Sequence, residues 1–171
     1  MNKHPFEILA LENGSKLIFT PCPGTKLVSL EESIKQLKES GTSMLITLMF
    51  DEEMASNEVL SLPELCHQHQ VNWLQLPIVD DEAPSDDFEF GWQKYRPIIL
   101  EQLNNKGVVA IHCKGGTGRT GTVIALLLLA LGWPVDKIVK DVQRVKPKAL
   151  RIKKQLDYLN KQLANSDVFF E

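Results

Sequence analysis

The sequence predicts an α/β fold: a central, mostly parallel sheet flanked by helices. Three observations carry that expectation. Short apolar runs alternate with longer segments of helical spacing along the chain. Val108-Val109-Ala110-Ile111, closing on His112, is continuously apolar in the way of a strand covered on both faces. From Thr122 to Leu131 every residue but Thr122 is apolar, so the helix that follows this strand must be buried nearly all round.

Taken in order, Lys16-Leu17-Ile18-Phe19 reads as a first strand, ended by Pro21 and Pro23. Leu30 to Glu39 places Leu30, Ile34 and Leu37 at helical spacing, and Met44 to Phe50 is strand-like. Val59 to His69 reads as a helix, with Pro63 an interruption or a first-turn residue. Val71 to Ile78 is a further strand-like run. Asp86 to Asn105 forms a long helix, capped by Ser85 ahead of Asp86 and Asp87 and bent or restarted at Pro97. The turn Lys106-Gly107 leads into the strand at 108–112. Pro134 opens a helix over Val135 to Val145, Lys146-Pro147 ends it, and Arg151 to Leu163 makes the last helix. With no repeat, low-complexity segment or linker, residues 1–171 are expected to be a single domain, which at this length buries roughly 70% of its unfolded surface.

Composition narrows the function classes. A hydrophobic content of 43% and a charged content of 24% are ordinary for a globular protein. A net charge of −3 gives no sign of nucleic-acid or membrane affinity. The first residues lack the apolar core of a secretory signal, and the apolar run Val123 to Leu131 is too short to span a bilayer. Three cysteines, at 22, 66 and 113, offer no paired framework, so a reducing, cytoplasmic location is expected.

The chemistry concentrates between the buried strand and the buried helix. The five residues separating Cys113 from Arg119 include three glycines, which let the backbone curl with its N–H groups pointing inward. Such a nest at a helix N-terminus is a site for a phosphate-like dianion. A thiol attacks only as its thiolate, and converging N–H donors favour that form. An arginine supplies a planar fork able to grip two phosphate oxygens, and Thr120 places a hydroxyl near the sulfur. A structural cysteine in a glycine-rich turn is the plainer alternative, but it gives no reason for an arginine at the loop exit. An acid is also needed to protonate the leaving oxygen, and Asp80, Asp81, Glu82, Asp86 and Asp87 stand together after a strand-like run. The residues alone leave the choice among them open.

The string His112-Cys113-(five residues)-Arg119-Thr120-Gly121 resembles the signature of the cysteine-dependent protein tyrosine phosphatase superfamily. From about Pro21 to about Leu159 the chain resembles its compact dual-specificity branch, through Pro23-Gly24-Thr25-Lys26, the helical segment to Gly41, and Leu76-Pro77-Ile78-Val79-Asp80. The resemblance implies the dual-specificity phosphatase fold and a phosphocysteine route, acting on phosphotyrosine with phosphoserine and phosphothreonine also in reach. It implies Cys113 as nucleophile, Arg119 as phosphate ligand and Asp80 as general acid. Lys114, Gly115, Gly116, Thr117, Gly118, Arg119 and Thr120 form the substrate loop, and His112 orients it. No metal and no other cofactor is implied. The implied partner is a phosphorylated protein, its identity not given by the sequence, rather than nucleic acid or membrane. Relatives carry a glutamine near the position of Arg151, and the departure there leaves the group that orients the hydrolytic water unassigned.

Two rival functions remain. Lys114 resembles the phosphoinositide-directed branch, yet Thr117 stands where that branch adds a second lysine, and the acidic run 80–87 would repel a multiply phosphorylated headgroup. A phosphate-binding pseudoenzyme or adaptor would have no need of Cys113. Elsewhere, Cys66, His67 and His69 lack a second ligand cluster and are expected not to bind metal. Met44, Met49 and Met54 read as core and loop filler. Lys146, Lys148, Arg151, Lys153 and Lys154 read either as a solvated face or as a rim that attracts phosphorylated substrates.

Overall fold

The computed structural model describes residues 2–169. Its element order is β1 (Glu7–Ala10), β2 (Lys16–Thr20), α1 (Leu30–Glu39), β3 (Met44–Thr47), α2 (Asp51–Ser56), α3 (Leu62–Gln68), β4 (Asn72–Gln75), α4 (Asp86–Asn104), β5 (Val108–His112), α5 (Gly118–Ala130), α6 (Val135–Val145) and α7 (Lys153–Phe169). The strands form one sheet in the order β1-β2-β5-β3-β4. β2, β5, β3 and β4 run parallel, and β1 pairs antiparallel with β2 at the edge. The expected α/β class and mostly parallel sheet are what the structure has.

Alternation along the strands sends side chains into two cores. Leu17, Phe19, Met44, Ile46, Val109 and Ile111 face one side, where they pack with Phe88 and Ile99 of α4, with the apolar length of α5, and with Ile138, Val142 and Leu159. Ile18, Leu45 and Ala110 face the other, against Ile34 and Leu37 of α1, Met54 of α2, and Leu62 and Cys66 of α3. β5 lies between β2 and β3 with both faces covered, which is why it reads as a continuous apolar run.

Several boundaries differ from the sequence expectation. The run Met44–Phe50 is a strand only to Thr47; Phe50 is already the N-cap of α2, a six-residue helix too short to show a period. The helix expected from Val59 starts at Leu62, which puts Pro63 in its first turn, where a missing N–H costs nothing. Val71–Ile78 is a regular strand only over Asn72–Gln75, though Leu76 and Ile78 N–H still donate to the Thr47 and Leu48 carbonyls, and β1 is an element the sequence reading lacks. α4 runs through Pro97 without restarting, and Ser85 caps it without a side-chain hydrogen bond. α5 begins at Gly118, earlier than the apolar run, because its first turn belongs to the glycine-rich loop. α7 begins at Lys153 rather than Arg151.

One close approach fixes the site from behind. A Cβ on Gly121 of α5 would stand 2.8 Å from Cβ of Ala149, in the connection between α6 and α7. Gly121→Ala should therefore overpack this contact and cost about 1–3 kcal/mol in urea unfolding. Adding Ala149→Gly should recover much of the loss; no recovery would mean that the contact does not limit the helix approach.

Candidate active site

The parallel register sets Thr20, His112, Thr47 and Gln75 level at the carboxyl edge of the sheet, and Cys113 follows immediately. A chain of hydrogen bonds crosses this edge. Trp73 Nε1–H donates to Thr47 Oγ1 (2.8 Å), Thr47 bonds His112 Nε2 (2.7 Å), and His112 Nδ1 bonds the Cys113 carbonyl (3.0 Å). The carbonyl can only accept, so Nδ1 carries the proton and Nε2 accepts from Thr47. Burial pushes the His112 pKa down to about 4, against the pull of the Cys113 carbonyl and with help from the Arg119 and His4 charges. The imidazole is therefore neutral at neutral pH and holds the loop entry.

The β2 exit supports the loop from beneath. Gly116 adopts φ +79°, and a Cβ there would lie 2.6 Å from both Pro21 N and the Thr20 carbonyl carbon. Both its conformation and its clearance therefore require glycine. Gly115 has open space around it. Cys22 N–H donates to the Lys114 carbonyl (3.0 Å), and His4 Nε2 bonds Thr20 Oγ1 (2.5 Å), which in turn donates to the Pro21 carbonyl (2.8 Å). The Cys113 sulfur, 3% exposed, receives the Gly116 N–H at 3.2 Å and the Thr120 hydroxyl at 3.1 Å.

Arg119, in the first turn of α5, is 1% exposed. Its Nη1 and Nη2 donate to Glu53 Oε1 and Oε2 at 2.7 and 2.8 Å, Nη1 also reaches the Ile78 carbonyl at 3.1 Å, and Asp80 Oδ1 lies 3.4 Å from Nη2. Nε–H is buried and has no partner among the described residues, so one donor of the fork is left for a ligand. Burial opposes the charge, but the Glu53 hydrogen bonds and the charges of Cys113, Glu53 and Asp80 outweigh it and hold the guanidinium pKa above its ordinary value.

The acid loop presents its carboxylates unequally. Glu82 N–H bonds the Val79 carbonyl (3.0 Å), closing a turn with Asp80 and Asp81 at its centre and Asp81 at φ +62°. The turn sends Asp80 to Arg119, whereas Asp81 makes no side-chain hydrogen bond or ion pair among the described residues. Asp86 and Asp87 open α4, where acidic side chains suit the helix dipole.

The Lys114 ammonium bonds Asn57 Oδ1 (2.5 Å) at the end of α2. Thr117 borders a pocket of about 230 Å³ shared with Lys146 and Lys148, so part of the basic cluster does rim the loop. Lys146 is paired with Glu7, Lys153 with Asp157 and Lys154 with Glu82. Cys66 is a core thiol that burial pushes up to about 12, and His69 pairs with Glu31 at 3.1 Å. Among the described residues no group of three or more His, Cys, Asp or Glu is placed to hold a metal, and all three cysteines are free.

Sequence reasoning missed three groups. Glu53 lies in the helix it missed, beside the equally acidic Asp51 and Glu52. Thr47 was one more residue of a strand. A buried glutamine stands one helical turn beyond Arg151: Gln155 is 1% exposed, lies against Gly118, donates through Nε2 to the Glu82 carbonyl (3.3 Å) and leaves Oε1 without a partner among the described residues.

With this geometry in view, residues 24–166 match the family described as "Swiss Army Knife protein, DSP-PTPase phosphatase domain". The chain belongs to that family. It is 32% identical over 98 residues to a putative tyrosine phosphatase of invertebrate iridescent virus 3, covering 57% of this chain and 38% of the viral protein. It is 28% identical over 145 residues to rat cyclin-dependent kinase inhibitor 3, covering 81% of this chain and 67% of that one. The chain therefore spans well under half of the viral relative. A crystal structure of kinase-associated phosphatase, with its catalytic-site cysteine replaced by serine, superposes with a TM-score of 0.84 at 21% identity over 96% of this chain and 97% of that chain. That likeness shows the fold, the one expected for a dual-specificity phosphatase.

Two tests follow from the loop's supports. Gly116→Ala should strip the loop of its shape and abolish binding of a phosphate analogue such as vanadate, while Gly115→Ala should keep it; equal effects would remove the argument from clearance. Because His112 is held near 4 against 6.5 in the unfolded chain, its contribution to stability is complete above pH 6.5 and is lost as pH falls toward 4. The loss amounts to about 3 kcal/mol at most. Urea midpoints between pH 7 and pH 4.5 should fall less steeply in His112→Gln, and parallel curves for the two proteins would exclude His112 as a source.

Proposed function

We propose that this chain is a cysteine-dependent protein phosphatase of the dual-specificity type, acting on phosphotyrosine proteins with phosphoserine and phosphothreonine within reach. The observation that carries the reading is one sulfur receiving two hydrogen bonds beside a buried arginine that keeps a free donor. Phosphate oxygens accept from Arg119 Nε–H and from the amides of the loop other than that of Gly116, which holds the sulfur. The Cys113 thiolate attacks phosphorus, the bond to the leaving oxygen breaks, and Asp80 gives that oxygen its proton. Water then attacks the phosphocysteine and loses its proton to the Asp80 carboxylate. The sulfur departs as a thiolate stabilised by the Thr120 hydroxyl and the Gly116 N–H, releasing inorganic phosphate. The unpartnered Oε1 of Gln155, beside Gly118, suits the group that orients this water.

The domain proposed to do this is the whole of 1–171, in a reducing, cytoplasmic setting. Among the described residues no helix is long and apolar enough to cross a membrane. The substrate is a phosphorylated protein. Protein kinases are one class to test, since one relative is named a cyclin-dependent kinase inhibitor.

Hydrolysis of para-nitrophenyl phosphate in the presence of a chelator tests the chemistry. Cys113→Ser should abolish it while keeping phosphate-site binding, and residual metal-free activity above about a thousandth of wild type would refute cysteine catalysis. Arg119→Lys should lose activity because a point charge cannot replace the fork. Asp80→Asn should slow substrates with poor leaving groups by roughly a hundredfold, spare those with acidic leaving groups, and remove the fall in rate at high pH. Asp81→Asn should do none of these; if it does, the acid is the neighbouring residue. A panel of phosphopeptides and phosphoinositides tests the substrate class, and preference for the lipids would replace the protein-phosphatase reading.

A further inference from the structure

We infer that Lys154 and Gln155, at the start of α7, are positioning residues that latch the acid loop in place over Arg119 by gripping Glu82. The inference rests on the reading of Asp80 as general acid and concerns what sets that acid's position.

Glu82 is held through three separate groups. Its backbone N–H closes the turn onto Val79, its backbone carbonyl accepts from buried Gln155 Nε2, and both of its carboxylate oxygens accept from Lys154 Nζ at 2.9 and 3.0 Å. It lies two residues from Asp80, in the same turn, so whatever fixes Glu82 fixes where Asp80 points. The turn has little else to hold it. Asp80 touches Arg119 at 3.4 Å but its side chain is 67% exposed, and the Asp81 side chain has no partner among the described residues. The other end of the latch is firm: Gln155 is buried against the phosphate loop at Gly118, so acid loop and phosphate loop are tied to one side chain.

The placement of Lys154 supports a role outside its own helix. The first turn of α7 carries no acidic residue and begins with Lys153 and Lys154. Cations there oppose the helix dipole. Lys153 is answered within the helix by Asp157, whereas Lys154 is answered among the described residues only by Glu82, across the site. An exposed ion pair adds little to global stability, but a small bias suffices to decide the position of a turn held so lightly.

The test uses Lys154→Glu, Glu82→Lys and the double exchange, at an exposed and a half-exposed side chain outside the core. The readout is kcat/KM on phenyl phosphate divided by kcat/KM on para-nitrophenyl phosphate. Changes in charge that merely alter attraction of the dianion act on both substrates and cancel in this ratio. Each single variant should lower the ratio on the order of fivefold, and the exchange should restore most of it. In an Asp80→Asn background Lys154→Glu should change the ratio no further, since the two act through one proton. A uniform loss on both substrates, or an exchange no better than either single variant, would overturn the latch while Asp80→Asn still shows its leaving-group dependence. If Asp80→Asn lacks that dependence, the acid assignment fails and the latch with it.

Discussion

A guanidinium buried to 1% exposure is the constraint around which this molecule is arranged. Removing such a charge from water costs far more than an ordinary contact returns, and a buried ion pair rarely stabilises a fold better than apolar packing would. Arg119 is tolerated because Glu53 meets both Nη groups and the Ile78 carbonyl meets one of them again. That arrangement also directs the arginine. With its Nη groups committed to α2 and to the strand exit, the unpartnered Nε–H is what remains for an anion, in surroundings where a charge-assisted hydrogen bond is stronger than in water.

The fold delivers these partners through the level carboxyl edge of the sheet. Gln75, the last residue of β4, donates to the Met49 carbonyl and to Asp51 Oδ1, at 2.8 and 3.0 Å, and so fixes the start of the short helix that carries Glu53. Thr47, its neighbour in register, relays Trp73 to His112 and through His112 to the Cys113 carbonyl. On the far side β2 ends at Thr20-Pro21, against which Gly116 is pressed. Three of the four parallel strands thus end in side chains that fix the loop entry or the helix carrying Glu53, while β2 supports the loop through its backbone. The edge works as a single jig because parallel register makes the strand ends coincide.

The glycine-rich loop was legible because its signals do not depend on distant partners: an apolar strand, three glycines and a buried helix are all local in sequence. The groups that orient it were not. Glu53 differs from Asp51 and Glu52 only in which way a six-residue helix turns it, and six residues show no period. Asp80 and Asp81 are chemically alike, and the left-handed backbone at Asp81 separates them. Gln155 escaped because the expectation fixed on Arg151, while α7 starts at Lys153 and brings in the amide one turn later. In each case the deciding fact is an orientation set by tertiary packing, which residue type and spacing do not encode.

That packing is itself strained where it matters. Leu150 is a buried aliphatic residue held at φ +58°, a conformation its side chain disfavours. It persists because the connection around it is over-determined. Ala149 fills the space left by Gly121, and Gln143 Nε2 donates to the Ala149 and Leu150 carbonyls at 3.1 and 3.4 Å. The chain leaves this connection through Arg151, whose Nε returns to the Pro147 carbonyl at 3.0 Å, and enters α7 with Gln155 already buried at the loop. A relaxed residue at 150 would send the helix off in another direction and carry Lys154 and Gln155 away from Glu82. Strain in a connection that touches neither nucleophile nor arginine therefore sets the direction from which α7 meets the acid loop.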